Sequence, residues 1–150
     1  MRSCRPFAIP SSRDEITSTQ AAMDEEETPA TLLAHIGALA RSEEQKDVLR
    51  SLDFIKPNSP ISDRDQRKQL ALLHALATYR LRRDAECLEI IKQAESENLS
   101  TTNLAAIAKE IHKEKAEREK DIAAGVGIGA TLLVGIAAIV TAVLFGRKKR

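Results

Sequence analysis

The chain has 150 residues, with 23 Lys and Arg against 22 Asp and Glu, three Phe, one Tyr and no Trp. Without a basic stripe interleaved with aromatics it has no ordinary nucleic-acid surface. Its two cysteines, Cys4 and Cys87, are too few and too far apart for a disulfide framework or thiolate metal cluster, which fits a reducing cytosol.

Residues 1–28, "MRSCRPFAIPSSRDEITSTQAAMDEEET", carry six acids against Arg2, Arg5 and Arg13 and lack helical periodicity. They are expected to be a mostly disordered arm. "PFAIPSS" falls far short of the apolar core of a secretory signal.

Residues 29–121 read as one helical domain. Thr28 followed by Pro29 predicts an N-cap with proline at the first helical position. Behind it, Leu32, Leu33, Ile36, Leu39 and Ala40 form one stripe. "SEEQ" (Ser42 to Gln45) predicts a capping box opening a second helix, with Val48, Leu49, Leu52 and Ile55 facing inward. The two prolines of "KPNSPIS" make Lys56–Ser62 a loop. A third helix is expected from Asp63 to Leu81 on Leu70, Leu73, Ala77 and Leu81, and a fourth from Ala85 to Glu97 on Leu88, Ile90 and Ile91. A fifth starts near Thr101; its run "KEIHKEKAEREKD" (Lys109 to Asp121) pairs opposite charges four apart and reads as a solvated stalk. No alternating strand pattern is present, so the fold class is all-α.

Helices three and four can be laid on the tetratricopeptide pattern, in which small residues sit where paired helices cross. Ala75, Cys87 and Ala94 take its three small positions, and Ser51 takes the tight crossing of a weaker first copy. Thr78, Asp84 and Leu99 depart from that pattern. Stacked pairs of this kind enclose a concave surface. By repeat position it would be lined by Leu33, Gly37, Ala40, Leu72, Leu76 and Tyr79, with Arg41 and Arg80 at its edge, although part of this set serves equally well as core. An apolar groove with a cationic rim suits an amphipathic or acidic-apolar segment.

Ile122–Gly146 holds no charge over 25 residues, twelve of them Leu, Ile, Val or Phe. As a helix it would reach roughly 37 Å, against a hydrocarbon core of about 30 Å. Arg147, Lys148, Lys149 and Arg150 follow it. The expectation is a C-terminal tail anchor inserted after translation, with the preceding domain left in the cytosol and residues 147–150 acting as a targeting tail. Gly125 and Gly129 form a G-x-x-x-G face that would let two such helices pack, and with it a homo-oligomer. "GVGIGA" (Gly125 to Ala130) also fits a dinucleotide fingerprint, but no strand precedes it, so no cofactor is expected. His35, His74 and His112 lie on different helices without ligand spacing, and no nucleophile constellation is present. The chain reads as neither a metalloprotein nor an enzyme.

"LALLHALATYRLRRDAECLEIIKQAESENLSTTNLAAIAKEIHKEK", followed by a Gly-rich span and a basic end, resembles the mitochondrial fission 1 family. "TYRL" (Thr78 to Leu81) is similar to the family's second-repeat signature, and "LARSEEQKDVLRSLDFI" takes the place of the first. Residues 1–28 do not look like the family's first, arm-like helix. The resemblance covers about residues 30–150. It implies two tetratricopeptide-like repeats on a tail anchor in the mitochondrial outer membrane, and in peroxisomes too. It also implies a role in recruiting a dynamin-related GTPase, directly or through intermediary adaptors, to divide the organelle. The alternative class is a tail-anchored scaffold or co-chaperone on the endoplasmic reticulum, which would need a cationic clamp that Arg80 and Lys68 alone do not make.

Overall fold

The computed structural model describes residues 1–55 and 61–125. Its elements are α1 (Arg13–Glu25), α2 (Pro29–Arg41), α3 (Gln45–Phe54), α4 (Arg64–Arg80), α5 (Asp84–Ser96) and α6 (Thr102–Gly125). No strand is present among the described residues, so the class is all-α.

Local chemistry sets most of the helix ends. At α2, Thr28 Oγ1 accepts from the Thr31 N–H and the Thr31 hydroxyl accepts from the Thr28 N–H, with Pro29 supplying a first residue that lacks a donor. Asp63 caps α4 by accepting from the N–H groups of Asp65 and Gln66. The ends of α4 and α5 share a second device. Arg82 (φ 59°) and Asn98 (φ 56°) adopt the left-handed conformation. The next N–H then reaches back along the helix, from Arg83 to the Thr78 carbonyl and from Leu99 to the Ala94 carbonyl. Leu99 is thereby folded into the core.

Two expectations are corrected at this level. Residues 1–28 are not a disordered arm, because 13 of them form α1. Ser12 caps that helix by accepting from the Glu15 N–H, Asp14 and Glu15 suit the positive end of its dipole, and Ile16, Thr19 and Met23 make a narrow inner stripe. The capping box at Ser42–Gln45 does not form either. α3 starts at Gln45, and Ser42 instead donates its hydroxyl to Asp47 Oδ2 at 2.7 Å while accepting from the Glu44 N–H. That redirection satisfies Asp47, a carboxylate only 1% exposed in the first turn of α3. Leu49, expected to face inward, is exposed, and Ser51 and Val48 take the buried positions.

The core is built around α2 and α4 in separate clusters. α2 packs against α1, α3 and α4, and α4 packs against α3 and α5. Leu32, Leu33, Ile36, Ile61 and Leu73 form one cluster, while Ala40, Val48 and Ala77 form another where small side chains let α2, α3 and α4 approach. The largest cluster joins Ala75, Leu76, Tyr79, Cys87, Ile91, Ala94 and Leu99 to Leu104, Ile107 and Ile111 of α6, and includes Cys4. Each fully buried Ile or Leu contributes about 1.5–3 kcal/mol by transfer from water.

The chain divides into one compact unit, Met1–Ile111, and a second, His112–Arg150. The first unit therefore takes in residues 1–28 and stops short of the expected boundary at 121. Leu104, Ile107 and Ile111 are the last buried residues of α6; from His112 to Gly125 its side chains are exposed, apart from a half-buried Glu114 that pairs with Arg118 at 3.1 Å. Among the described residues, nothing lies within 4 Å of the place where a Gly125 Cβ would sit. Most of the expected loop (residues 56–60), Gly129, and the targeting residues Arg147, Lys148, Lys149 and Arg150 lie outside the described residues, as does the expected membrane span beyond Gly125. Among the described residues no helix is long and apolar enough to cross a membrane.

Candidate functional site

A helix leaves its last four carbonyls without partners inside the helix, and these carry the negative end of its dipole. α2 and α4 end side by side, so two such sets converge. The segment that meets them is residues 1–11, which precede α1 and bind as an extended strap with one turn.

The strap is held chiefly by main-chain groups of those two helix ends. The Arg2 N–H donates to the Arg80 carbonyl at 2.8 Å, and Arg80 Nε returns a bond to the Arg2 carbonyl at 3.1 Å. Arg2 Nη1 donates to the Tyr79 carbonyl at 2.9 Å, and its guanidinium faces the Asp84 carboxylate with both nitrogens, Nη2 to Oδ2 at 3.0 Å. The same guanidinium lies 4.5 Å from the centre of the Tyr79 ring. Farther along, Phe7 meets Tyr79 edge to face with centroids 5.5 Å apart. Arg41 Nη1 donates to the Ile9 carbonyl, the Ser11 N–H donates to the Arg41 carbonyl, and Ser11 Oγ donates to the Ala38 carbonyl at 2.6 Å. Arg2 is 6% exposed and Cys4 1%.

Arg80 joins the two helix ends. Besides Arg2, it donates from Nη1 to the carbonyls of Ala40 (2.7 Å) and Ser42 (2.5 Å). It is 2% exposed, and burial lowers its pKa from the ordinary arginine value, with the nearby Cys4 and Glu43 acting the other way. Asp84 sits in the first turn of α5, where the helix dipole favours a carboxylate. Its side chain keeps 30% of its surface in solvent.

The expected groove residues thus divide. Leu76, Tyr79, Arg80 and Arg41 meet at the strap, and half-buried Leu72 packs against the same cluster. Leu33, Gly37 and Ala40 do not line a groove. Leu33 belongs to the α2 core cluster, Gly37 lies where α2 passes Leu73, and Ala40 packs with Val48 and Ala77. The expected cationic rim is corrected as well. Arg80 is buried among carbonyls, and Arg41 is paired with Glu15 and bonded to the carbonyls of Gly37 and Ile9.

The repeat-packing positions gather in the interior. Cys87 donates its thiol to the Ala75 carbonyl at 3.2 Å, Ala94 shares their cluster, and Ser51 is buried with its hydroxyl on the Val48 carbonyl. Burial pushes the Cys87 thiol up to about 11. His35 is fully buried beside Phe54, with Nδ1 3.1 Å from Thr19 Oγ1. Among the described residues no group of three His, Cys, Asp or Glu side chains is placed to hold a metal ion.

Sequence reasoning missed Arg2, Phe7 and Asp84. Only Ser12-x-x-Glu15, a capping signature, marked where the strap gives way to a helix. No protein-family model matches the chain, and no curated protein matches it significantly.

Proposed function

We propose that this protein is a tail-anchored adaptor that promotes mitochondrial, and in part peroxisomal, fission by helping to recruit a dynamin-related GTPase or its intermediary adaptors to the outer membrane. The observation that carries the reading is in the sequence: 25 uncharged residues, Ile122–Gly146, followed by four cations, on a chain whose helical part resembles the fission 1 family. In this reading α2–α3 and α4–α5 are two degenerate tetratricopeptide-like repeats, with Ala75, Cys87 and Ala94 as the small residues of the second. The strap supports a recruiting role, since a face that holds an extended segment of its own chain has the donors, acceptors and apolar surface to hold one from another protein.

A co-chaperone on the endoplasmic reticulum is less well supported. It needs exposed groove cations to clamp a carboxylate, and Arg80 is buried and committed to carbonyls. The two readings separate by imaging the tagged full chain beside a version truncated after Asp121. Mitochondrial outlines for the first, diffuse signal for the second and altered mitochondrial length on overexpression are expected. A reticular endoplasmic pattern for the full chain would discard the fission reading.

A further inference from the structure

We infer that the seat now filled by Arg2 is the specificity determinant of this face: it selects a partner segment that makes a turn without being a continuous helix, is anchored by an arginine, and carries an aromatic residue five positions later. The inference rests on the recruiting function proposed above and reverses the charge expected from the sequence alone.

The seat is electronegative for structural reasons. Its acceptors are the Tyr79 and Arg80 carbonyls at the negative end of the α4 dipole, and the Asp84 carboxylate at the first turn of α5. The Tyr79 ring adds a π-face. A planar guanidinium satisfies the Tyr79 carbonyl and Asp84 at once, with a fork to the two Asp84 oxygens, a third bond to the Tyr79 carbonyl and a contact over the Tyr79 ring, while the Arg80 carbonyl takes the segment's main-chain N–H. A lysine ammonium would have to choose among them. An acidic side chain would face a carboxylate and helix carbonyls, while the site's own cations, Arg80 and Arg41, are spent on main-chain carbonyls of α2 and of the strap and on Glu15.

The surrounding contacts set the rest of the motif. Phe7 meets Tyr79 at right angles, and the intervening residues turn so that the N–H groups of Phe7 and Ala8 donate to the Cys4 carbonyl at 3.0 Å. A continuous helix would not bring both side chains to Tyr79, because positions five apart lie on different faces. The matching ligand is therefore not a continuous helix, with Arg and an aromatic residue both reading one tyrosine ring.

The test uses the full chain in detergent micelles. With Arg2→Ala and Phe7→Ala weakening the resident strap, a labelled peptide of residues 1–10 is expected to bind in trans. Replacing that peptide's first arginine by alanine is expected to weaken binding by about 10- to 100-fold, and by lysine about 3- to 10-fold. An acidic-apolar peptide of equal length is expected to remain unbound. Equal binding of the alanine or acidic peptide, or no binding by any peptide, overturns the inference.

A second measurement needs only one near-isosteric change. Asp84→Asn in the otherwise unaltered chain is expected to raise Cys4 alkylation about tenfold or more, while Cys87 stays protected and reports an intact bundle. An unchanged Cys4 rate overturns the role of Asp84. A dimer that Arg2→Ala reduces to monomer would assign the seat to a second copy and overturn it too. Binding results stand apart from the organelle images, so this inference and the proposed function fail separately.

Discussion

Arg80, the last residue of α4, donates from its guanidinium to the carbonyl of Ala40 in the last turn of α2 at 2.7 Å. One side chain thereby caps a neighbouring helix and fixes the spacing of two helix ends, while the main-chain carbonyl of the same residue accepts from the Arg2 N–H. Removing it would strand the buried carbonyls of Ala40, Ser42 and Arg2, which cost more unpaired than the lost bonds are worth. Arg80→Ala is expected to destabilise the chain by about 3 kcal/mol in urea unfolding. Arg80→Lys should recover part of that loss, since an ammonium reaches fewer of the three acceptors. A loss of less than about 1 kcal/mol for Arg80→Ala would show that water serves those carbonyls instead.

Acid should loosen the fold through His35. Its Nε2 is buried with no hydrogen-bond partner among the described residues, and burial, aided by Arg50 and opposed by Asp24 and Asp47, lowers its pKa. His74 shifts the same way through burial. The folded state disfavours the imidazolium, so the unfolded chain binds more protons as pH falls through the ordinary histidine range near 6.5. Stability is thus full above that range and is lost below it. The urea midpoint should drop between about pH 7.5 and about pH 5.5, and His35→Phe should flatten that dependence. An equal slope in the variant would place the acid sensitivity elsewhere.

The turn between α4 and α5 holds Arg82 at φ 59°, a conformation that costs a residue with a Cβ about 1 kcal/mol. Arg82→Gly is expected to raise stability by about 0.5–1 kcal/mol. Thermal unfolding measures it, and a lower midpoint would mean that the Arg82 side chain makes a contact worth more than the strain.

Cys87 should be chemically silent in the folded chain. Its thiol is fully buried, donates to the Ala75 carbonyl and has a pKa pushed up to about 11, so little thiolate exists near neutral pH. Alkylation at about pH 8 is expected to reach Cys87 only as fast as the whole unit opens, whereas Cys4 should react at the rate the strap lifts. Matching rates for the two would show that the strap and the bundle open together.

Thr28 and Pro29 began α2 as the sequence suggests, and the spacing of Ala75, Cys87 and Ala94 put small side chains where α4 and α5 meet. Periodicity placed five helices because burying one face of a helix leaves a regular mark on the residues. α1 was harder to see. Its inner stripe is only Ile16, Thr19 and Met23, a weak apolar signal, and its cap at Ser12 lay beside a segment without any period. The strap left no periodic mark, since an extended segment held through Arg2, Cys4 and Phe7 spaces its contacts irregularly.

By itself the sequence determined five of the six helices among the described residues, the Thr28–Pro29 start of α2, and that residues 122–146 carry no charge. Only the tertiary structure decided that the groove cations are spent on backbone and that an electronegative seat for Arg2 stands in their place. The reason is that the seat is assembled from main-chain carbonyls at the end of α4 together with Tyr79 and, across the turn, Asp84 of α5. Every residue has a main-chain carbonyl, so composition cannot mark it; it becomes a binding group only where a helix stops and a second helix end is packed alongside.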